Sequence, residues 1–520
     1  MSDSPDAPTL ALARQPGEGI NTAASQSTFP PPVAGGGPGW GRLFLFLFFI
    51  ATPACATVIA SKVFTESVIL AEAGVQLLQS DHRPAEHRKE LGGTRILWSA
   101  LLRGDIDCYP EYTGTLRAEI FASQALQDDA QLIAALAAQH VWASRPLGFN
   151  NTYVLGMRRE QAQRLGIDRL SQLARHPELR LGFSNEFLER QDGWPGLRER
   201  YRLPHTDIRG LAHDLAYRGV ASNAIDVTDL YSTDAEIAHY DLVALQDDAG
   251  FFPAYDALFV CRDSVPTPVR DSLNRLANRI DAGRMSRMNA LAKLEKQPEA
   301  AVAAEFLKDT FSINGSHTAD TRWSRIARHT REHLAMVAIS LGAAILIATP
   351  LGALAFYRRS FGRVAFLVAD VLQTLPALAL LVFLIPWLGI GYAPAIVALF
   401  LYSLLPILRN THAGLADIPR TLRESAAALG LSSAARIRLI ELPLAARSIL
   451  AGIRTAAVIN VGTATLGALV GAGGYGQPIL TGIRLDDLGL ILEGAIPAAI
   501  LALVVQAGFA LIEKRWVVAK

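Results

Sequence analysis

The chain has 520 residues, 51% hydrophobic and 19% charged, with a formal net charge of +1. That length exceeds one ordinary core and implies two or more domains. The balanced charge gives no footing for nucleic acid, and three cysteines without CxxC or Cys/His spacing argue against a metal or redox centre.

Residues 1–41 are rich in Pro, Gly, Ser and Ala without apolar periodicity, the composition of a disordered leader. Arg42, the apolar run "LFLFLFFIA" (43–51) and "ACA" (54–56) form a secretory signal. Cleavage after Ala56 is expected; an uncleaved anchor is the alternative, and either one exports the chain from residue 57 onward.

From residue 57 the pattern is soluble α/β. "TVIAS" reads as a strand, Thr65 opens a helix through "ESVILAEAGVQLLQ", and "TRILWSALLRG" reads as a helix ending in glycine. "DIDCY", "RLGFS", "NAIDVTDLY" and "LVALQ" read as strands with helices between them, which predicts a mostly parallel sheet. Helical sequence from about 266 to 311 closes the domain, and "SINGSHTADT" reads as a linker. Cys108 and Cys261 are expected as two free buried thiols rather than a disulfide. Asp105, Asp107 and Glu111 resemble paired catalytic carboxylates by spacing alone. Without a nucleophile or base motif beside them they are read as solvated or hydrogen-bonded.

The second half holds five apolar runs near 20 residues, the length that crosses roughly 30 Å of hydrocarbon: 334–356, 364–386, 392–408, 449–471 and 488–511. Orientation follows from Lys and Arg. Arg358, Arg359, Arg363, Arg409, Arg420, Arg423, Arg436, Arg438, Arg447, Lys514, Arg515 and Lys520 share one side; Arg484 and the cluster Arg322, Arg325, Arg328 and Arg331 lie on the other. Residue 334 is therefore expected outside and the C-terminus inside. The spacing of three in the arginine cluster predicts a basic helix lying on the membrane surface. Asp370 and Asn460 fall within spans, where a polar group either lines a pathway or bonds a neighbouring helix. No G-x-x-x-x-G-K-[ST] occurs, and "GAGGYG" (471–476) reads as a tight loop between spans.

The loop "ESAAALGLSSAARIRLIELPLA" (424–445) resembles the coupling loop of ABC importer permeases through Glu424, Ala426, Ala427, Gly430, Ile440, Leu442 and Pro443. The resemblance implies a dock for a separate ATP-binding subunit: small alanines let a helix seat closely, and Gly430 lets the backbone turn after it. "SKVFTES", "LGGTRILWSALLRGDIDCYPEYTGT", "FNNTYVLGM", "FLERQDGWPGL", "DVTDLYSTD" and "FFPAYDA", in order over 57–312, resemble the osmoprotectant-binding proteins of glycine betaine and choline importers. That resemblance implies a box of four tyrosines for a trimethylammonium group, mapping onto Tyr112, Tyr153, Tyr231 and Tyr255. It also implies a carboxylate subsite at Lys62, Thr115 and Arg190. The chemistry agrees, since a quaternary ammonium has no N–H and is met best by aromatic faces, while Arg and Lys neutralise a carboxylate. Tyr109 and Pro110 are expected to shape the cleft wall.

The expected fold is a two-lobed α/β periplasmic-binding-protein-like domain followed by an all-α transmembrane permease domain. The expected boundaries are a leader and signal at 1–56, a binding domain at 57–312, a linker with the basic helix at 313–333 and the permease at 334–520. The implied protein is a multi-pass inner-membrane subunit with its binding domain on the outer side, working as a homodimer with separate ATPase subunits. No cofactor, metal, catalytic residue or nucleic-acid partner is implied. Carnitine or a histidine betaine are alternative ligands, and a membrane-bound sensor is the alternative class.

Overall fold

The computed structural model describes residues 56–124, 126–313 and 321–517. The expected leader and signal segment lie outside the described residues, as do residues 314–320 of the expected linker.

The first half contains two five-stranded sheets. The strands are β1 (Thr57–Ala60), β2 (Ala85–Arg88), β3 (Cys108–Tyr112), β4 (Val141–Ala143), β5 (Tyr153–Arg158), β6 (Leu181–Ser184), β7 (Ile208–Leu211), β8 (Val227–Tyr231), β9 (Leu242–Ala244) and β10 (Ala257–Arg262). Their orders, β2-β1-β3-β10-β4 and β7-β6-β8-β5-β9, repeat one plan. In each, three parallel strands end against an antiparallel fourth, β10 beside β3 and β5 beside β8. The sheets are thus mixed rather than mostly parallel, because the chain leaves the first lobe after β4 and returns as β10.

Two helices build the cleft side of lobe one. Helix α1 (Thr65–Ser80) is buried from Thr65 through Leu78, packed between the first sheet and the helices Ala282–Lys293 and Glu299–Phe311. Helix α2 (Thr94–Arg103) ends at Gly104, whose φ of +83° suits a residue without a Cβ. Strand β3 begins three residues later than "DIDCY" suggested. Asp107 instead stands just ahead of this central strand and ties it to both neighbours, accepting from Val58 N of β1 at 2.8 Å and from Arg262 of β10.

The cysteine expectation is corrected: Cys108 and Cys261 form a disulfide. The antiparallel β3–β10 register sets them directly opposite each other, although 153 residues separate them in sequence. Tyr109 is fully buried in the core and does not line the cleft.

Among the described residues of the second half, four helical segments are long and apolar enough to cross a membrane: Arg322–Tyr357, Tyr392–Ala416, Ser433–Val470 and Leu488–Arg515. A fifth span requires counting Arg359–Thr374 and Ala377–Leu388 together, and these meet at 102°. The second expected span is therefore a broken one. Leu375 is extended (φ −66°, ψ 131°) before Pro376, where the ring of a proline disfavours helix in the residue ahead of it. The arginine cluster is not a separate surface helix either; the 36-residue helix Arg322–Tyr357 runs unbroken from those arginines into the first span. Asn460 joins three helices, accepting from Ser403 Oγ at 3.0 Å and donating to Ser340 Oγ at 3.1 Å. Of its two readings, helix–helix bonding is the one observed. Asp370 pairs with Arg409 at 2.6 Å on the exposed face of its helix.

The binding half packs against one end of this helical half. The short helix Gly476–Arg484 follows the glycine loop and carries Gln477, Thr481 and Arg484 on one face, all bonded to Glu90. The positive φ of Gly471 (+76°) sits where Leu91 closes on it, leaving no room for a Cβ.

Candidate functional site

The four tyrosines occupy equivalent places in the two sheets. Tyr112 ends β3, Tyr153 begins β5, Tyr231 ends β8, and Tyr255 stands two residues before β10. Tyr153 and Tyr255 stand where the chain crosses between the lobes, and Tyr231 and Tyr112 end the strands that pair with β5 and β10 there, so all four rings reach the same cleft. Tyr153 and Tyr231 are register partners. Their ring centroids lie 5.2 Å apart, and Tyr255 meets Tyr153 edge-on at 5.7 Å. Phe64, just before α1, lies 6.1 Å from Tyr112 and 6.0 Å from Tyr231 and makes a fifth aromatic wall.

One cavity between the lobes is lined by all seven residues singled out from the sequence: Lys62, Tyr112, Thr115, Tyr153, Arg190, Tyr231 and Tyr255. Asn151 and Glu186 line it as well. The two cations are already engaged. Lys62 pairs with Glu111 inside the protein, and burial pushes the Glu111 carboxyl up against the opposing pull of Lys62. Arg190 makes the expected bidentate fork, but onto Asp192: Nε donates to Oδ1 at 2.8 Å and Nη2 to Oδ2 at 2.5 Å. Its Nη1 donates to Glu119 at 3.0 Å.

Behind the box, Glu66 in the first turn of α1 accepts four hydrogen bonds: from Tyr112 Oη (2.6 Å), Asn151 Nδ2 (2.8 Å), Thr233 Oγ1 (2.6 Å) and Asn289 Nδ2 (3.1 Å). These donors come from both lobes, so one carboxylate fixes the Tyr112 ring and ties the lobes at their junction. Burial raises its pKa, opposed by the hydrogen bonds from Thr233, Tyr112 and Asn289. Asp192 does similar work for Tyr255, accepting its hydroxyl at 2.5 Å. On the outer face of Tyr231 lies His213, with ring centroids 4.3 Å apart. Burial alone would lower its pKa, but Asp229 and Asp234 outweigh that and push it up to about 10.

Sequence reasoning missed Glu66, Asp192, Glu119, Glu186 and Phe64. Glu66, Asp192 and Phe64 stand inside segments that carry the resemblance, whereas Glu119 and Glu186 lie just beyond them. The roles of all five depend on which side chains the two lobes bring face to face.

The loop singled out as a dock lies at the far end of the helical half. Tyr357, at the end of the first long helix, bonds Glu441 of that loop, whereas Glu332 of the same helix accepts Gly474 N–H at 2.9 Å beside the binding half. Twenty-five residues of helix separate them, about 37 Å at 1.5 Å per residue. Glu424 lies in the helix Arg420–Ala428 and pairs with Arg420 at 2.7 Å; Ala426 is buried and Ala427 exposed. Gly430 then turns the chain at φ +79° with open space around it. Ile440 lies in a π-helical turn, and Leu442 and Pro443 open the next helix. Leu422, Leu429, Leu439 and Leu444 are exposed along this segment.

Residues 57–309 match the family described as the substrate binding domain of ABC-type glycine betaine transport systems. Residues 340–518 match the binding-protein-dependent transport system inner membrane component. The choline transport system permease protein OpuBB of Bacillus subtilis is 41% identical over 195 residues, 38% of this chain and 90% of that one. The glycine betaine/carnitine/choline permease OpuCB of the same organism is 42% identical over 196 residues, again 38% and 90%. The ergothioneine transport permease/ergothioneine binding protein EgtU of Helicobacter pylori is 34% identical over 260 residues, 48% of this chain and 47% of that one. A solved glycine betaine/carnitine/choline ABC transporter structure is 28% identical, covering 49% of this chain and 98% of that chain at a TM-score of 0.43. This chain belongs to the osmoprotectant ABC importer family, as a permease joined in one polypeptide to its substrate-binding domain.

Proposed function

We propose that the protein captures a quaternary ammonium osmoprotectant in the cavity between its lobes and passes it through its own permease half. A separate ATPase docked on the Glu424–Pro443 loop drives the cycle. The observation that carries this reading is the convergence of Tyr112, Tyr153, Tyr231 and Tyr255, from four strand ends, on one cavity. A trimethylammonium group offers no hydrogen-bond donor, and several aromatic faces are the chemistry that recognises it. Two copies pair to complete the pathway, because about five spans are too few to enclose one. The binding domain faces outward and the exposed leucines of the docking loop face the cytoplasm. The arginine count and the 37 Å separation of the two ends support that sidedness.

The full-length protein in detergent should bind glycine betaine or choline by calorimetry. Tyr231→Ala should cost on the order of 1–2 kcal/mol, roughly ten-fold in affinity, and Tyr231→Phe much less. A ligand panel without any quaternary ammonium hit would overturn the reading. A reporter fused at Asn314 should be active outside the cytoplasm and one after Lys520 inside it.

A further inference from the structure

The charges around the cavity do not suit every ligand that has an ammonium head. Arg190 spends its fork on Asp192 and its remaining arm on Glu119. Lys62 is held by Glu111, with its side chain and that of Glu111 both buried. Glu186, from the first turn of the short helix Asn185–Glu189, lines the same cavity from lobe two and reaches Gly93 on lobe one. Among the described residues Glu186 has no ion-pair partner. The charged groups of the wall and their ion-pair partners therefore set two cations, Lys62 and Arg190, against four carboxylates, Glu111, Asp192, Glu119 and Glu186, of which Glu119 is shared with the exposed Arg95.

A zwitterion entering this cavity must draw Arg190 from Asp192, draw Lys62 from Glu111, or leave its carboxylate beside Glu186. Breaking a largely buried Arg–carboxylate fork strands Asp192, which also positions Tyr255. A monocation meets none of these obstacles: its ammonium takes the aromatic faces while Glu186 supplies the countercharge. We infer that the cavity selects quaternary ammonium monocations lacking a carboxylate, an amino alcohol of the choline class, over carboxylate zwitterions such as glycine betaine, and that Glu186 is the residue that sets this preference. The inference rests on the reading of the cavity as a quaternary ammonium site and narrows its substrate.

The test is calorimetry on the full-length protein in detergent with choline and glycine betaine, together with E186Q and D192N, each checked by thermal unfolding. Wild type should bind choline at least ten-fold more tightly than glycine betaine. E186Q should weaken choline several-fold and glycine betaine by less than two-fold, closing the gap. D192N, which frees Arg190, should raise the affinity for glycine betaine relative to choline. Tighter binding of glycine betaine by wild type, or an equal loss of both ligands in E186Q, would overturn the inference while leaving the quaternary ammonium site intact. Binding of neither would instead remove the functional reading beneath it. Should E186Q not fold, the wild-type ratio decides alone.

Discussion

Arg484 Nε donates to Oε1 of Glu90 at 2.8 Å across 394 residues of chain, joining a short helix of the permease half to the binding half. The same guanidinium donates to Thr65 Oγ1 at 2.7 Å and to Glu299 Oε1 at 2.5 Å, and all three charged residues are buried. A buried cation between two carboxylates explains an arginine in a segment that the Lys and Arg count assigns to the disfavoured side. Thr65 is the first residue of α1, and Glu66 beside it holds Tyr112. Arg484→Ala leaves two buried carboxylates uncompensated, at a cost of order 3–5 kcal/mol to the contact between the halves. Limited proteolysis near residues 312–321 should accelerate, and uptake in proteoliposomes with the ATPase should fall at least ten-fold. Ligand affinity should hold within about two-fold; a full loss of binding would show that Arg484 supports the cavity itself.

Gly430 lies in the left-handed region with nothing near its absent side chain. Gly430→Trp should place a bulky ring on the face proposed as the ATPase dock and strain the turn. Uptake and ligand-stimulated ATPase activity should both disappear while ligand binding persists. Unchanged stimulation would place the dock elsewhere.

The His213 imidazolium makes stability depend on pH in one direction. Its folded pKa of about 10, raised over burial by Asp229 and Asp234, exceeds the ordinary unfolded value of about 6.5. The stabilisation is therefore whole below about pH 6.5 and lost as pH rises toward 10. The unfolding temperature of the binding half should decline through that window. His213→Gln should flatten the decline, measured by differential scanning fluorimetry from pH 6 to pH 10.

The disulfide closes a loop that contains the whole of lobe two. Cys108→Ser with Cys261→Ser should lower stability by about 2–5 kcal/mol, the usual range for loss of a native bridge. Chemical denaturation with and without reductant checks this, and an unchanged midpoint would show the bridge to be energetically idle.

The tyrosine box was legible because each ring comes with a local motif, and a strand end projects its last side chain wherever the sheet leads. The partners of those rings were not. Asp192 lies two residues from Arg190 in the same short segment, yet only the folded loop shows that it takes the fork proposed for a ligand. Cys108 and Cys261 are neighbours only through the β3–β10 register, which no local pattern encodes. The break in the second span did have a signal, Pro376 inside an apolar run, and hydropathy alone outweighed it. The arginines at 322–331 misled in the opposite way. Their spacing of three is helical, but nothing in it tells a helix that stops from one that continues.

At 1.5 Å per residue, the 36-residue helix Arg322–Tyr357 is about 54 Å long, some 24 Å more than the hydrocarbon of a bilayer. Its surplus turns are braced, with Arg325 forked onto Glu493 at 2.9 and 2.8 Å and Glu332 bonded to the glycine loop. The long helix is thus stayed like a mast, and the binding half bears on the helix Gly476–Arg484, which follows the same glycine loop. Deleting two of these turns would lower the mast by roughly 10 Å and rotate it by about 20°, since seven residues fall just short of two turns. The brace at Glu332 would be re-aimed as well as lowered, because Gly474 would then face a different side of the helix.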